Sequence, residues 1–485
     1  MEITLLALQA MKKGWMAAAA LAGVLVAGPS LGQTRASEQE RQQQAALADS
    51  LGGVYVGPQA DYVRRIGEKM ATAGGLGGKC TFTLINSEVI NAFAAPPGCS
   101  IFVTRGLLSI LNSEAELAGV LGHEVGHVAR RHFARQRNTQ LLTGLAAVLV
   151  GAVAKSDQIG QLAGQAAQLG VLSYSRGQEY ESDTFATQTL PAAGYPREGI
   201  SNALAALQRQ DAYAAAAMGA TPSNATPVWA RTHPLTTTRI QRAATEAGKA
   251  GPVTGPLAIN EAAYLSQMDG LLYGDDPAQG FVRGTAFLHP DLRIAFDAPR
   301  GFRLTNGASA VSISGPGGLR GDFTGARLGN VRLEDHVGQA LRTILGQAVA
   351  EIGPPQRTTI NGLEAVAQTA RATSQGQPVD LTVVAYAMGS DSAYRFTVLA
   401  PARQTATFDP LFRSFRRISE GEAGRITALR IQVVTARPGD TSEELAARMA
   451  SGGDKLALFR MINNLAPGEA LSAGRQVKLV VDQRR

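Results

Sequence analysis

The stretch His123-Glu124-Val125-Gly126-His127 decides how this chain is read. Two histidines four apart on a helix project from one face, a single turn apart. Their imidazoles can close on one tetrahedral metal ion, and zinc is the usual occupant of such sites. Glu124 is too close in sequence to join them as a ligand, but it can reach a water on the metal. This is the HExxH arrangement, in which the glutamate is the general base of a metalloprotease. With six histidines in 485 residues, chance supplies roughly 0.003 such matches per chain. An ordinary helix with two surface histidines would not need apolar flanks. Here Leu117, Val120, Leu121, Val125 and Val128 recur at helical spacing. Ser113, with Glu116 three residues later, reads as a capping box that starts the helix.

Two histidines do not hold a catalytic zinc; three protein ligands and a water are needed. The candidate third lies in Ser175-Arg176-Gly177-Gln178-Glu179-Tyr180-Glu181-Ser182-Asp183. Glu179 and Asp183 again share one helical face, so one can bind metal while the other orients a ligating imidazole. Glu181 points about 160° away on helix geometry and reads as solvent-facing or paired with an arginine. His132, one turn past HExxH between arginines, reads as surface, and His289 and His336 carry no inference.

HEVGH, followed some fifty residues later by SRGQEYESD and then AGYP, resembles the HtpX/BepA-type zinc metallopeptidases, which include the CAAX-prenyl-protease-type enzymes. The stretch NAFAAPPGCSIFVTRGLL, running into the HExxH helix, is similar to that family as well. The resemblance covers roughly residues 50 to 245. It implies one zinc per chain held by His123, His127 and Glu179, with Glu124 as general base and Asp183 behind the ligands. Ser182 stands where alanine is commoner. His233, in Arg231-Thr232-His233-Pro234-Leu235 with Arg239 downstream, is similar to a segment of periplasmic members in which the histidine lies near the zinc. There it either caps the metal at rest or assists turnover.

The bulk numbers suit a globular chain of several domains: 45% apolar, 18% charged, net charge +7. The positive balance suits peripheral contact with a membrane or cell-wall polymer. No arginine cluster interleaved with aromatics supports nucleic-acid binding. Lys12 and Lys13 before the apolar run Trp15 to Gly28 and small residues near Ser30 mark residues 1–33 as an export signal, hence a periplasmic location. Cys80 and Cys99 are the only cysteines; in an oxidising compartment they are free to pair, but spacing alone does not say that they do. The apolar runs 141–154 and 159–172 read as buried core helices, or as a membrane hairpin.

The expected fold is α+β. Residues 34–50 are a polar lead-in, and 51–250 a mainly helical gluzincin-type metalloprotease domain with a small sheet. In that sheet Asn91 to Ala94 is an edge able to take an extended peptide. Residues 251–279 are a linker. An α+β domain over 280–420 has short strands and a helix around Val337 to Ile352. Residues 426–483, with Arg437-Pro438-Gly439-Asp440-Thr441, resemble a βααβ LysM module, which implies binding of peptidoglycan glycan. The chain thus reads as an envelope zinc endopeptidase acting on unfolded or misassembled polypeptides. Its rivals are a largely shut chaperone or scaffold holding cell-wall glycan, and a membrane-embedded protease.

Overall fold

A computed structural model describes residues 38–135 apart from Pro97, 174–217, His233, 237–249, 251, and 255–483 apart from 308, 309 and 375. The export signal and the apolar runs of 141–172 lie outside them. No described helix is long and apolar enough to cross a membrane. The chain is α+β and divides into two units. Among the described residues, one draws on 38–135, 174–274 and 428–483, the other on 275–427.

In the first unit, a lead-in helix Glu38–Ser50 is followed by α1 (Pro58–Ala73), which starts on proline and buries Val63, Ile66 and Met70. Strands β1 (Cys80–Ile85), β2 (Ala92–Ala95) and β3 (Cys99–Thr104) form a sheet in the order β1-β3-β2. β2 and β3 make an antiparallel hairpin, which leaves β2 at the edge expected near Asn91 to Ala94; β1 joins β3 in parallel. Cys80 and Cys99 stand opposite each other in that parallel register, 4.5 Å apart at Cα, and form a disulfide. The bond closes a loop of 18 intervening residues, given a sequence separation of 19. Replacing both cysteines with serine should therefore lower unfolding free energy by about 3 kcal/mol, read as a lower urea midpoint; an unchanged midpoint would contradict it.

Helix α2 (Arg105–Ile110) leads into α3 (Glu114–Ala129), the helix that carries HExxH. Ser113 Oγ caps α3 by accepting from Glu116 N at 3.2 Å. The reciprocal bond of the expected box goes one residue upstream: Glu116 Oε2 accepts from Asn112 N at 2.6 Å. Every residue of α3 from Glu114 to His127 is buried, so this is a central helix and not a surface one. Glycines let its neighbours approach. A Cβ on Gly119 would lie 2.6 Å from Ile200 N of α5 (Gly199–Ala217), and one on Gly126 only 3.2 Å from Ser182 Cα of α4 (Arg176–Thr189). A full capping box at Ser175 and Gln178 starts α4.

The closing segment keeps the strand–helix–helix–strand order: Ala428–Thr435, Ser442–Ala447, Lys455–Ile462, Gln476–Gln483. Its strands pair with each other, and the first also pairs with Leu272–Tyr273. Its apolar residues Ile431, Leu445, Phe459 and Val477 belong to the same core as Leu107, Leu117 and Val125. Lys478 ties the two parts together. It is fully buried, and its Nζ donates to Ser109 O at 2.8 Å and Leu111 O at 2.6 Å, at the end of α2. Burial pushes this amine down to about 7 against the pull of Glu116 and Glu261, with Arg209 adding to the depression. An unfolded lysine titrates near 10.4. Between those pH values the unfolded chain holds a proton that the folded chain has shed, so stability rises with pH across that window. The expected slope approaches about 1.4 kcal/mol per pH unit. It should vanish in Lys478→Met; equal slopes for both proteins in urea melts would reject the assignment.

The second unit is built on an eight-stranded antiparallel sheet, with Gln377–Ala387 and Ser392–Pro401 near its centre. Phe296, Phe323 and Phe396 cluster on one face. On the other, Val337, Leu341 and Ile344 of helix Leu333–Leu345 cover Val366, Leu381 and Val383. The helix expected to reach Ile352 stops at Leu345. Gly346 follows it at φ 55° and ψ −117°, a backbone conformation that favours glycine, and Ala350–Ile352 pairs as a strand.

Candidate metal centre

The fold brings α3, α4 and His233 to one buried point. His123 and His127 face each other through their Nε2 atoms at 2.9 Å. Glu179, from α4, places its carboxylate oxygens 3.5 Å from each of those nitrogens. His233 Nδ1 lies 3.1 Å from Glu179 Oε1 and 3.4 Å from His123 Nε2. Its sequence neighbours Arg231, Thr232, Pro234 and Leu235 lie outside the described residues. One donor atom from each of these four residues falls within 4.8 Å of the others, and all four residues are buried. Bonds of about 2.05 Å to a tetrahedral zinc would put ligand atoms about 3.3 Å apart, close to these separations. Imidazole nitrogens and a carboxylate oxygen are also zinc's customary donors. The set fits the ion.

The surrounding groups hold these donors in place. Asp183 Oδ1 is 2.9 Å from His123 Nδ1, which leaves Nε2 to face the metal point. Arg239, on helix α6 (Thr237–Lys249), is 2% exposed and reaches both acids. Its Nε and Nη2 each donate to Asp183 at 2.8 Å, and its Nη1 lies 2.5 Å from Glu179 Oε2. Burial pushes the Glu179 carboxyl up, but His233 and Arg239 outweigh it and hold the group well below the usual carboxylate range. Burial likewise raises Asp183, and Arg239 with His123 brings it below its ordinary value. Both acids therefore stand ionised, as metal binding and imidazole orientation require.

Glu124 is 2% exposed and points toward the same space; its Oε1 is 3.6 Å from His233 Nε2, and its Oε2 has no hydrogen-bond partner among the described residues. Beside it lies a mostly apolar cavity lined by Ala92 of the β2 edge, Leu107, Val120, Ile200, Leu204 and Leu207. An acid–base group, a metal point, a strand edge and a side-chain cavity thus adjoin one another. Tyr174 stacks on His127, with ring centroids 3.7 Å apart.

His123, His127, Glu179, Asp183, Glu124 and His233 are all brought together. Two further residues escaped the sequence reading. Arg239 was visible only as a basic residue downstream of His233; the signal was that two buried acids on one helix face need a cation. His132 is a correction: it is fully buried, not surface. Arg131 takes a left-handed φ of 53° after the end of α3, which turns His132 back under His127.

A buried HExxH helix crossed by a second helix that supplies a glutamate defines a metallopeptidase centre of the gluzincin type. Residues 58–247 match the model of peptidase family M48. The metalloprotease YcaL of Escherichia coli (strain K12) is 31% identical over 186 residues, 35% of this chain and 67% of that protein. The chain belongs to peptidase family M48, whose metal is zinc. The beta-barrel assembly-enhancing protease of Yersinia pestis is 28% identical over 272 residues, 51% of this chain and 52% of that protein. The protein of the same name from Escherichia coli (strain K12) is 27% identical over 240 residues, 47% of each chain. The chain thus spans about half the length of the first curated relatives it matches.

Proposed function

We propose that this chain is a zinc endopeptidase of the bacterial envelope that cleaves unfolded or misassembled polypeptides. What carries the reading is the convergence of His123, His127 and Glu179 beside a buried Glu124. In this reading His123, His127 and Glu179 are the metal ligands, and Asp183 orients His123. Bound there, zinc would supply Lewis acidity that lowers a water's pKa toward about 7 and polarises a carbonyl. Glu124 takes the proton of the attacking water as the new C–O bond forms. It then returns that proton to the leaving nitrogen as the C–N bond breaks. The substrate lies extended along the β2 edge, taking main-chain hydrogen bonds there, with one side chain in the apolar cavity.

The name beta-barrel assembly-enhancing protease links those relatives to β-barrel assembly, and by that likeness the substrates here are envelope proteins. Export follows from the reading of residues 1–33. The closing segment is LysM-like in its element order and would tether the enzyme to cell-wall glycan. The test is cleavage of an unfolded outer-membrane protein by the purified full chain, with one zinc per chain. Cleavage should stop with a chelator and return with zinc; persistence in chelator would reject the proposal.

The position of His233 favours a resting state that is shut. Catalytic zinc sites keep an open position, whereas four protein ligands close one, and His233 brings a fourth donor to the point. His233 is therefore read as a cap that lowers the competent fraction. Its removal should raise cleavage roughly tenfold, the gain expected if about a tenth of molecules are open at rest. The measurement is the initial rate of His233→Ala at equal zinc content. A fall in rate would instead make His233 a participant in turnover.

A further inference from the structure

Resting on the metal-centre reading above, we infer that His132 and Glu181 form a hydrogen-bond relay that fixes the tautomer of His127 and presents its Nε2 to the metal. His132 is a positioning residue, since it acts through His127. The nitrogens His127 Nδ1 and His132 Nδ1 are 2.9 Å apart, a distance that holds one proton and no more. If His127 gives its Nε2 lone pair to a metal, its proton sits on Nδ1 and is donated to His132. His132 Nδ1 is then an acceptor, so its own proton must lie on Nε2. That nitrogen is 3.1 Å from Glu181 Oε2, an acceptor. Each step forces the next, and the chain has one self-consistent direction.

The outer end is anchored as well. Arg135 donates to both Glu181 oxygens, at 2.7 and 3.2 Å, and Gln178 Nε2 donates to His132 O at 3.2 Å. Ser182 Oγ lies 3.5 Å from His132 Nδ1, too long to compete with the 2.9 Å contact. The two ligand imidazoles are thus held by different devices: His123 leans directly on Asp183, while His127 leans on a second imidazole that leans on an acid. Removing an outer partner of a metal-bound histidine commonly costs 10–100-fold in metal affinity.

The test uses the full chain and reads metal affinity rather than turnover. His132→Phe keeps a planar ring at the site but cannot accept a hydrogen bond; zinc competition against a chelator should show about 10–100-fold weaker binding. His132→Asn, whose Oδ1 can accept from His127 Nδ1, should recover most of that loss. Nitrogen-15 spectra of the zinc-loaded wild type should show His127 protonated at Nδ1 and His132 at Nε2. Equal zinc affinity in His132→Phe and wild type would overturn the relay, as would an Asn variant as weak as the Phe variant or the opposite tautomers. Failure of the wild type to bind one zinc would overturn the metal-centre reading itself.

Discussion

Glu124→Gln is expected to lower the cleavage rate about 10³-fold while leaving one zinc per chain. General acid–base catalysis contributes about 10²–10⁴ in rate, and among the described residues no other buried carboxylate is poised to replace Glu124. Glu179 and Asp183 are each committed to Arg239 and an imidazole. Glutamine matches the glutamate in size, so α3 and its buried surroundings are undisturbed. Its amide can still hydrogen-bond a water, but it takes up no proton at neutral pH. The variant should therefore bind an unfolded substrate with wild-type affinity and fail at the chemical step. Single-turnover cleavage, with zinc content measured on the same sample, checks this. A rate within threefold of wild type would remove Glu124 from the mechanism.

What the sequence could and could not reveal follows from how local each feature is. The pairs His123/His127 and Glu179/Asp183 each sit on one helix, so the 3.6-residue period alone places their members on a common face. The meeting of those helices was legible only through resemblance. Its physical cause is the run Gly119, Gly122 and Gly126, small residues that let α4 and α5 pack against α3. The β2–β3 hairpin could be read from a short turn, whereas the parallel pairing of β1 with β3 could not. That pairing brings the two cysteines within bonding distance. His132 was misread because helical geometry was continued past the helix end, where the left-handed Arg131 breaks the period. In the closing segment the element order was legible, but its union with the HExxH core depends on contacts such as Lys478 to Ser109, 369 residues apart.

Arg239→Met should lower the unfolding free energy of the zinc-free protein by about 3–5 kcal/mol, the usual cost of breaking a buried ion pair by removing one partner. The guanidinium lies between two carboxylates that are themselves buried, with Glu179 0% and Asp183 4% exposed. Methionine fills much of the space but leaves two adjacent acids without their cation. Zinc should then restore only part of the loss. It binds the folded state and so stabilises it, by about 4.1 kcal/mol at a free concentration 1,000 times its Kd. Its charge offsets Glu179, yet Asp183 stays behind the ligands, short of the partner that gave it two 2.8 Å bonds. Arg239→Lys should fall between wild type and Met, because an ammonium keeps the charge but cannot make the two-pronged contact with Asp183. Urea melts with and without zinc measure all three proteins. If Arg239→Met unfolds at the wild-type midpoint in the absence of zinc, then Arg239 is not what keeps the two acids ionised. The low carboxyl of Glu179, on which the ligand set depends, would then need another source.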